Sequence, residues 1–134
     1  MKREILFRGQ PIGKGGKWMV GIGAYKSHTS EHLVLNAKGD SVEVVHLCQY
    51  TGLKDKNGIK IFEGDIIESN GYKHLVTYNE KLAGFCAVNA KYPEDICGIN
   101  QQWINECSKV VIGNVIDNPE IVKGGSNEEY VSKL

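Results

Sequence analysis

Apolar residues recur along this chain in short runs, and a glycine or a glycine-containing turn closes nearly every one. Ile5-Leu6-Phe7-Arg8 reads as a first short strand. Gly13-Lys14-Gly15-Gly16 supplies a turn, and Trp18-Met19-Val20-Gly21-Ile22 follows as a second strand. The two predict a hairpin, because glycine reaches the positive φ of tight turns without steric cost. Residues 24–40 are polar apart from Leu33-Val34-Leu35, and Asn36 to Asp40 carries a second turn signal. Val42 to Leu47 is rich in β-branched residues and predicts a strand. Lys54-Asp55-Lys56-Asn57-Gly58 stands before Ile59-Lys60-Ile61, and Asn-Gly predicts a tight reversal with left-handed backbone at Gly58. The partner strand is expected to set Val45, Leu47 or Tyr50 opposite Ile61, with residues 51–56 as the loop. Further strands are predicted at Ile66-Ile67-Glu68, His74 to Tyr78, Gly84 to Val88 and Val110 to Ile116. Gln101 to Asn105 reads equally as a helical turn or an edge strand.

Five short strands between residues 59 and 116 fit a small barrel, which closes its own edges. The step Gly64-Asp65-Ile66-Ile67 resembles the way SH3-like barrels restart a strand after a diverging turn. The fold expected is therefore mainly β: an SH3-like β-barrel over residues 49–122, preceded by an N-terminal β region over 1–48. Residues 123–134 are expected to form a linker and tail. Lys123-Gly124-Gly125-Ser126 is linker-like, and Ser126 with Glu129 spells a capping box for a short C-terminal helix.

Composition narrows the function classes. The chain has 134 residues, 16 Lys and Arg against 16 Asp and Glu, 41% hydrophobic and 24% charged residues. That is one soluble globular domain's worth of sequence, neither a strongly basic nucleic-acid coat protein nor an acidic disordered tail. No run approaches the roughly 20 apolar residues of a membrane span. The N-terminal apolar run stops at Arg8, so no signal peptide is expected and the chain is expected to act in the cytoplasm. Cys48, Cys86, Cys97 and Cys107 form no Cys-x-x-Cys pair and read as reduced, small apolar residues. Charge is polarised: residues 1–30 hold six basic side chains and one acid, a net of +5, and residues 61–134 hold six basic and eleven acidic ones, a net of −5. Such ends can pair within a subunit or between subunits.

Catalytic and metal patterns are absent from the sequence. Gly13 to Gly16 lacks the strand–loop–helix context of a phosphate loop. His28 and His32 stand four apart beside Glu31, but Ser27, Thr29 and Ser30 mark an exposed loop rather than a metal site. Glu63 and Asp65 bracket Gly64 and read as acceptors for turn backbone. His46 and His74 lie in strand patterns and read as packing or solvent-facing residues. No enzyme, cofactor or metal is expected. Tyr50, Lys54, Lys56 and Lys60 form an aromatic–basic cluster of the kind that stacks single-stranded bases.

The segment from Gln49 to Ile67, with Thr51-Gly52-Leu53 and Asn57-Gly58-Ile59-Lys60-Ile61-Phe62-Glu63-Gly64-Asp65-Ile66-Ile67, resembles the signature of the YopX family of phage and prophage proteins. Arg3-Glu4-Ile5-Leu6-Phe7-Arg8-Gly9 and Gly16-Lys17-Trp18-Met19-Val20-Gly21 resemble that family's start. Tyr78, Gly84-Phe85, Ile112-Gly113-Asn114-Val115 and Asn118-Pro119-Glu120 resemble its later landmarks. The resemblance implies a protein made inside a bacterium, with no established role and no catalytic residues to carry over. Physically the signature is architectural: Gly52, Gly58 and Gly64 as backbone devices, Asn57 and Asp65 as turn residues, Ile61, Phe62, Ile66 and Ile67 as core. The expected function is that of a phage or prophage accessory protein, a small β-rich interaction module that self-associates. Host or phage proteins are further possible partners; the alternative is a single-stranded nucleic-acid-binding module.

Overall fold

The computed structural model describes residues 3–122, and the expected linker, tail and capped C-terminal helix lie outside the described residues. Among the described residues, eleven strands form two antiparallel sheets. The first comprises β1 (Phe7–Pro11), β2 (Met19–Gly21), β3 (Gly23–Tyr25), β4 (Leu33–Leu35), β5 (Ser41–Lys54) and β6 (Lys60–Phe62), in the order β2-β1-β5-β4-β3 with β6 on β5. The predicted hairpin is present, with Arg8 opposite Val20. β2 and β3 are the two ends of this path, yet only Ile22 separates them in the chain. The Ile22 N–H donates to Leu35 O at 2.8 Å, so the sheet folds back on itself. Val34 and Val44 are buried inside that fold, where Gly9 and Gly21 present no side chain.

The second sheet comprises β7 (Asp65–Ser69), β8 (Tyr72–Asn79), β9 (Gly84–Asn89), β10 (Ile96–Gly98) and β11 (Val110–Asn114), in the order β10-β9-β8-β7-β11. Residues 101–106 resolve as a helix, α1 (Gln101–Glu106), because Asn100 caps it by accepting from the Trp103 N–H at 2.8 Å. A 3-10 turn over Pro119–Val122 closes the described chain.

The expected closed barrel gives way to these two sheets. Its strands 59–116 divide, β6 pairing with β5 and β7 to β11 forming an open sheet with β10 and β11 at its edges. The physical reason is that the second sheet is apolar on both faces. Ile67 and Val76 pack with Ile61 and with Ile104 of α1 on one face. Ile66 and Leu75 pack with Val115 and with Val122 of the 3-10 turn on the other. A sheet covered on both sides has no single interior to wrap around. β5 also runs through position 48, joining β1 and β4 along its first part and β6 beyond it.

Candidate functional site

The signature segment folds into the β5–β6 hairpin. Gly58 has φ 82 and donates its N–H to Asp55 O at 3.0 Å, while the Asp55 N–H donates to Ile59 O at 2.8 Å. Asn57 is outside the positive-φ set, so this is a turn with a single left-handed residue. The register differs from expectation: Phe62, not Ile61, lies opposite Tyr50, and β5 continues to Lys54 rather than ending in a loop at Thr51. The reversal in which both Asn and Gly are left-handed sits elsewhere, at Asn70 (φ 50) and Gly71 (φ 82) between β7 and β8.

Asp55 organises the hairpin from the inside. It is buried, and its Oδ1 accepts the Asn57 N–H at 2.8 Å and the Ile59 N–H at 2.9 Å. Its Oδ2 accepts the Val111 N–H of β11 at 2.9 Å, and the Lys56 N–H donates to Lys109 O at 3.0 Å. The signature turn is thereby stitched to the last strand. Beside it, the Gln101 side chain imitates a strand: its Oε1 accepts the Lys54 N–H at 3.0 Å and its Nε2 donates to Lys54 O at 2.7 Å.

Asp65 does what its turn position predicts, accepting the Phe62 N–H on Oδ2 at 2.8 Å. Its other oxygen accepts from Arg8 Nη2 at 2.7 Å, a partner that sequence spacing does not reveal. Burial pushes the Asp65 carboxyl up and Arg8 pulls against that shift. The Arg8 guanidinium lies between the Trp18 and Phe62 rings, at 4.4 and 4.7 Å from their centroids. Burial pushes the neighbouring Cys48 thiol up to about 12, so it stays protonated and unreactive. Glu63 accepts the Gln49 N–H at 3.3 Å and is also pushed up by burial. Gly64, at φ 90, donates to Val76 O and accepts from the Val115 N–H, tying β8 to the chain beyond β11.

A second buried polar group joins His74 of β8 to Lys109. Lys109 Nζ is 3.2 Å from His74 Nδ1 and 5.2 Å from the Trp103 ring centroid. Burial, reinforced by Lys109, lowers the His74 pKa, and burial lowers that of Lys109. Neither residue carries a sequence motif that would have disclosed this pairing. At the far end of the chain, Asp117 accepts from Trp18 Nε1 at 2.7 Å, Gln10 Nε2 at 3.1 Å and Asn114 Nδ2 at 3.0 Å. Burial raises the Asp117 pKa, but the three hydrogen bonds outweigh it and hold the carboxyl below its ordinary value.

The residues singled out for nucleic acid are only partly brought together. Tyr50 is 5% exposed and packs on Phe62 with centroids 5.4 Å apart, so its ring face is not offered to a base. Lys60 lies 6.0 Å from the Tyr50 ring and 3.5 Å from Glu4. Lys54 and Lys56 are exposed on the hairpin. Gly52 has φ 88 in β5. His28 sits in an exposed loop, and among the described residues no group of three or more His, Cys, Asp or Glu side chains is placed to hold a metal. No described helix is long and apolar enough to cross a membrane.

One cleft, of about 310 Å³, gathers residues from distant parts of the sequence. Arg3 to Ile5, Gln49 to Gly52, Tyr78 and Gly84-Phe85 line it. These come from the N-terminal, central and later segments that carry the family resemblance. Tyr78 and Phe85 meet edge to face at 5.6 Å on its wall.

No curated protein matches the chain. Among solved structures it is similar to protein EF1440 from Enterococcus faecalis, at 27% identity over 86% of this chain and 75% of that one, with a TM-score of 0.46. The model of the family described as YopX protein matches residues 19–123, most of the chain and every described strand but β1. This chain belongs to the YopX family.

Proposed function

We propose that this protein is a small β-rich interaction module, a phage or prophage accessory protein of the bacterial cytoplasm, that self-associates head to tail. One observation carries the reading: its opposite charges are left largely unpaired within the chain. Among the described residues, Arg8–Asp65 is the one ion pair joining the +5 segment 1–30 to the −5 segment 61–134. Lys14, Lys17 and Lys26 are exposed on the first sheet's connections, and Glu80, Glu94, Glu106 and Glu120 are exposed around the second sheet. Exposed lysines carried by the first sheet and exposed carboxylates carried by the second complement each other between copies, giving a heterologous contact. The diverging turn at Gly64 supports an SH3-like origin for the second sheet. Burial keeps the Cys48 thiol protonated, which fits a binder better than a thiol catalyst.

Size-exclusion chromatography with light scattering, run over protein concentration at low and high salt, tests this. A mass above the monomer at low salt that falls at high salt is expected, with Lys14→Glu/Lys17→Glu lowering it further. A monomer at every concentration and salt overturns self-association.

A further inference from the structure

We propose that the groove between the β7–β8 turn and the β9–β10 loop binds single-stranded nucleic acid by stacking bases on Tyr72 and Tyr92. The groove measures about 530 Å³ and is lined by both tyrosines and by Lys73 and Lys91. Tyr72 is 65% exposed and Tyr92 51% exposed, in contrast to the buried Tyr50. Buried tyrosines build cores; rings held out beside cations are the parts of a stacking platform.

The two tyrosines come to one groove for a definite reason. The Ala90 N–H donates to Lys73 O at 2.9 Å, which lays the loop after β9 against the start of β8. Asn89, 9% exposed, fixes that loop by accepting the Lys91 N–H at 2.9 Å and the Tyr92 N–H at 3.1 Å. The left-handed pair Asn70-Gly71 fixes the other side. The platform is therefore formed before any ligand arrives, which lowers the ordering cost of binding. Lys91 Nζ lies 5.5 Å from the Tyr92 ring, leaving its charge beside a stacked base's phosphate.

The surroundings set the strength. Lys73 already pairs with Glu68 at 3.5 Å, and Glu94, Asp95 and Glu120 are near in sequence to the groove's lining residues. Binding is thus dominated by stacking, with about two phosphates neutralised. That corresponds to a slope of log affinity on log salt near −1.4 for a single strand, about a sevenfold loss between roughly 50 and 200 mM salt. Glu94 and Glu120 also belong to the acidic surface invoked for self-association, and the tyrosine variants, which change no charge, separate the two readings.

Fluorescence anisotropy of a labelled oligothymidylate of roughly ten nucleotides, titrated with the full chain, tests it. Tyr72→Ala and Tyr92→Ala are each expected to weaken binding on the order of tenfold, and Lys91→Ala to flatten the salt slope by about 0.7. Tyr78→Ala, an exposed tyrosine on the other cleft, is expected to bind as the unmodified chain does, and a duplex competitor to displace poorly. Because Tyr72 and Tyr92 are exposed, unchanged melting of their variants assigns any loss to the groove. No binding at about 100 μM protein, or equal weakening by Tyr78→Ala, overturns the proposal.

Discussion

Replacing Asp55 with Asn changes one atom in the signature hairpin and tests its internal stitching. Asn Oδ1 can still accept the Asn57 and Ile59 N–H groups that now meet Asp55 Oδ1 at 2.8 and 2.9 Å. The atom replacing Oδ2 becomes an NH₂ donor aimed at the Val111 N–H, another donor. Flipping the amide only moves the conflict to Asn57 and Ile59. The substitution loses a charge-assisted hydrogen bond, about 1.5–3 kcal/mol, and leaves donors facing each other in a buried place, about 1 kcal/mol or more. The expected total is about 2–4 kcal/mol, a large part of the roughly 5–15 kcal/mol that holds a domain together. For a fold of this size that lowers the thermal midpoint by roughly 6–16 °C. Thermal melts followed by near-ultraviolet circular dichroism read this, and faster amide exchange at Val111 locates it. Lys56→Ala, at the exposed neighbour, is the control and leaves the midpoint in place. An Asp55→Asn melt indistinguishable from the unmodified chain would refute the claim that this carboxylate joins the turn to β11.

Gly21→Ala and Gly23→Ala are expected to differ sharply in a urea titration. A Cβ on Gly21 lands 2.5 Å from Leu35 O, which is backbone and cannot step aside, whereas one on Gly23 meets Leu35 Cβ at an ordinary 3.7 Å. The first costs about 1–3 kcal/mol and the second close to nothing, and equal midpoints would contradict the close approach at Gly21. A Cβ at Gly58 meets no neighbour within 4 Å, so the loss of about 1–3 kcal/mol expected of Gly58→Val comes chiefly from φ 82; an unchanged melt would dismiss that strain. His74 has a folded pKa below the ordinary 6.5, so the unfolded chain takes up a proton that the folded chain refuses. The stability it contributes is present above pH 6.5 and lost as pH falls from there toward the folded value. The difference in melting midpoint between the unmodified chain and His74→Asn should shrink over that interval, and a flat difference would contradict the assignment.

Much of the strand pattern was legible because it depends on neighbours in sequence. Ile66-Ile67, His74 to Tyr78 and Gly84 to Val88 announce themselves by composition, and Gly58 by the steric demand of its turn. The β5 strand was read too short because His46 takes φ 57 within it and because the β5–β6 register slips between Tyr50 and Lys54. Irregular strands lose the period on which sequence reading depends. Barrel closure was misjudged because consecutive buried isoleucines state that two faces are covered without saying by what. The cover turned out to be α1 and the 3-10 turn. Asp55 was visible only as a turn residue; its grip on Val111 spans 56 positions, and nothing local reports it. Tyr50 misled for the same reason, since burial by Phe62 belongs to strand register rather than to the aromatic–basic spacing around it.

The Asp117 hub also dictates when the molecule can become complete during synthesis. Gln10 is 7% exposed in the finished fold, and its side-chain amide is satisfied by Gly16 O and by Asp117, 107 positions later. Trp18 waits 99 positions for the same carboxylate. A nascent chain can form the β1–β2 hairpin early, with Gln10 already on Gly16 O, but its amide and the Trp18 indole meet water in place of Asp117 until nearly all of the folded region has emerged. Its first strands therefore remain provisional while the second sheet is being made, and closure comes late and at once. Cutting the chain anywhere between those contacts should leave two fragments that each lack what the other supplies, rather than two smaller stable proteins.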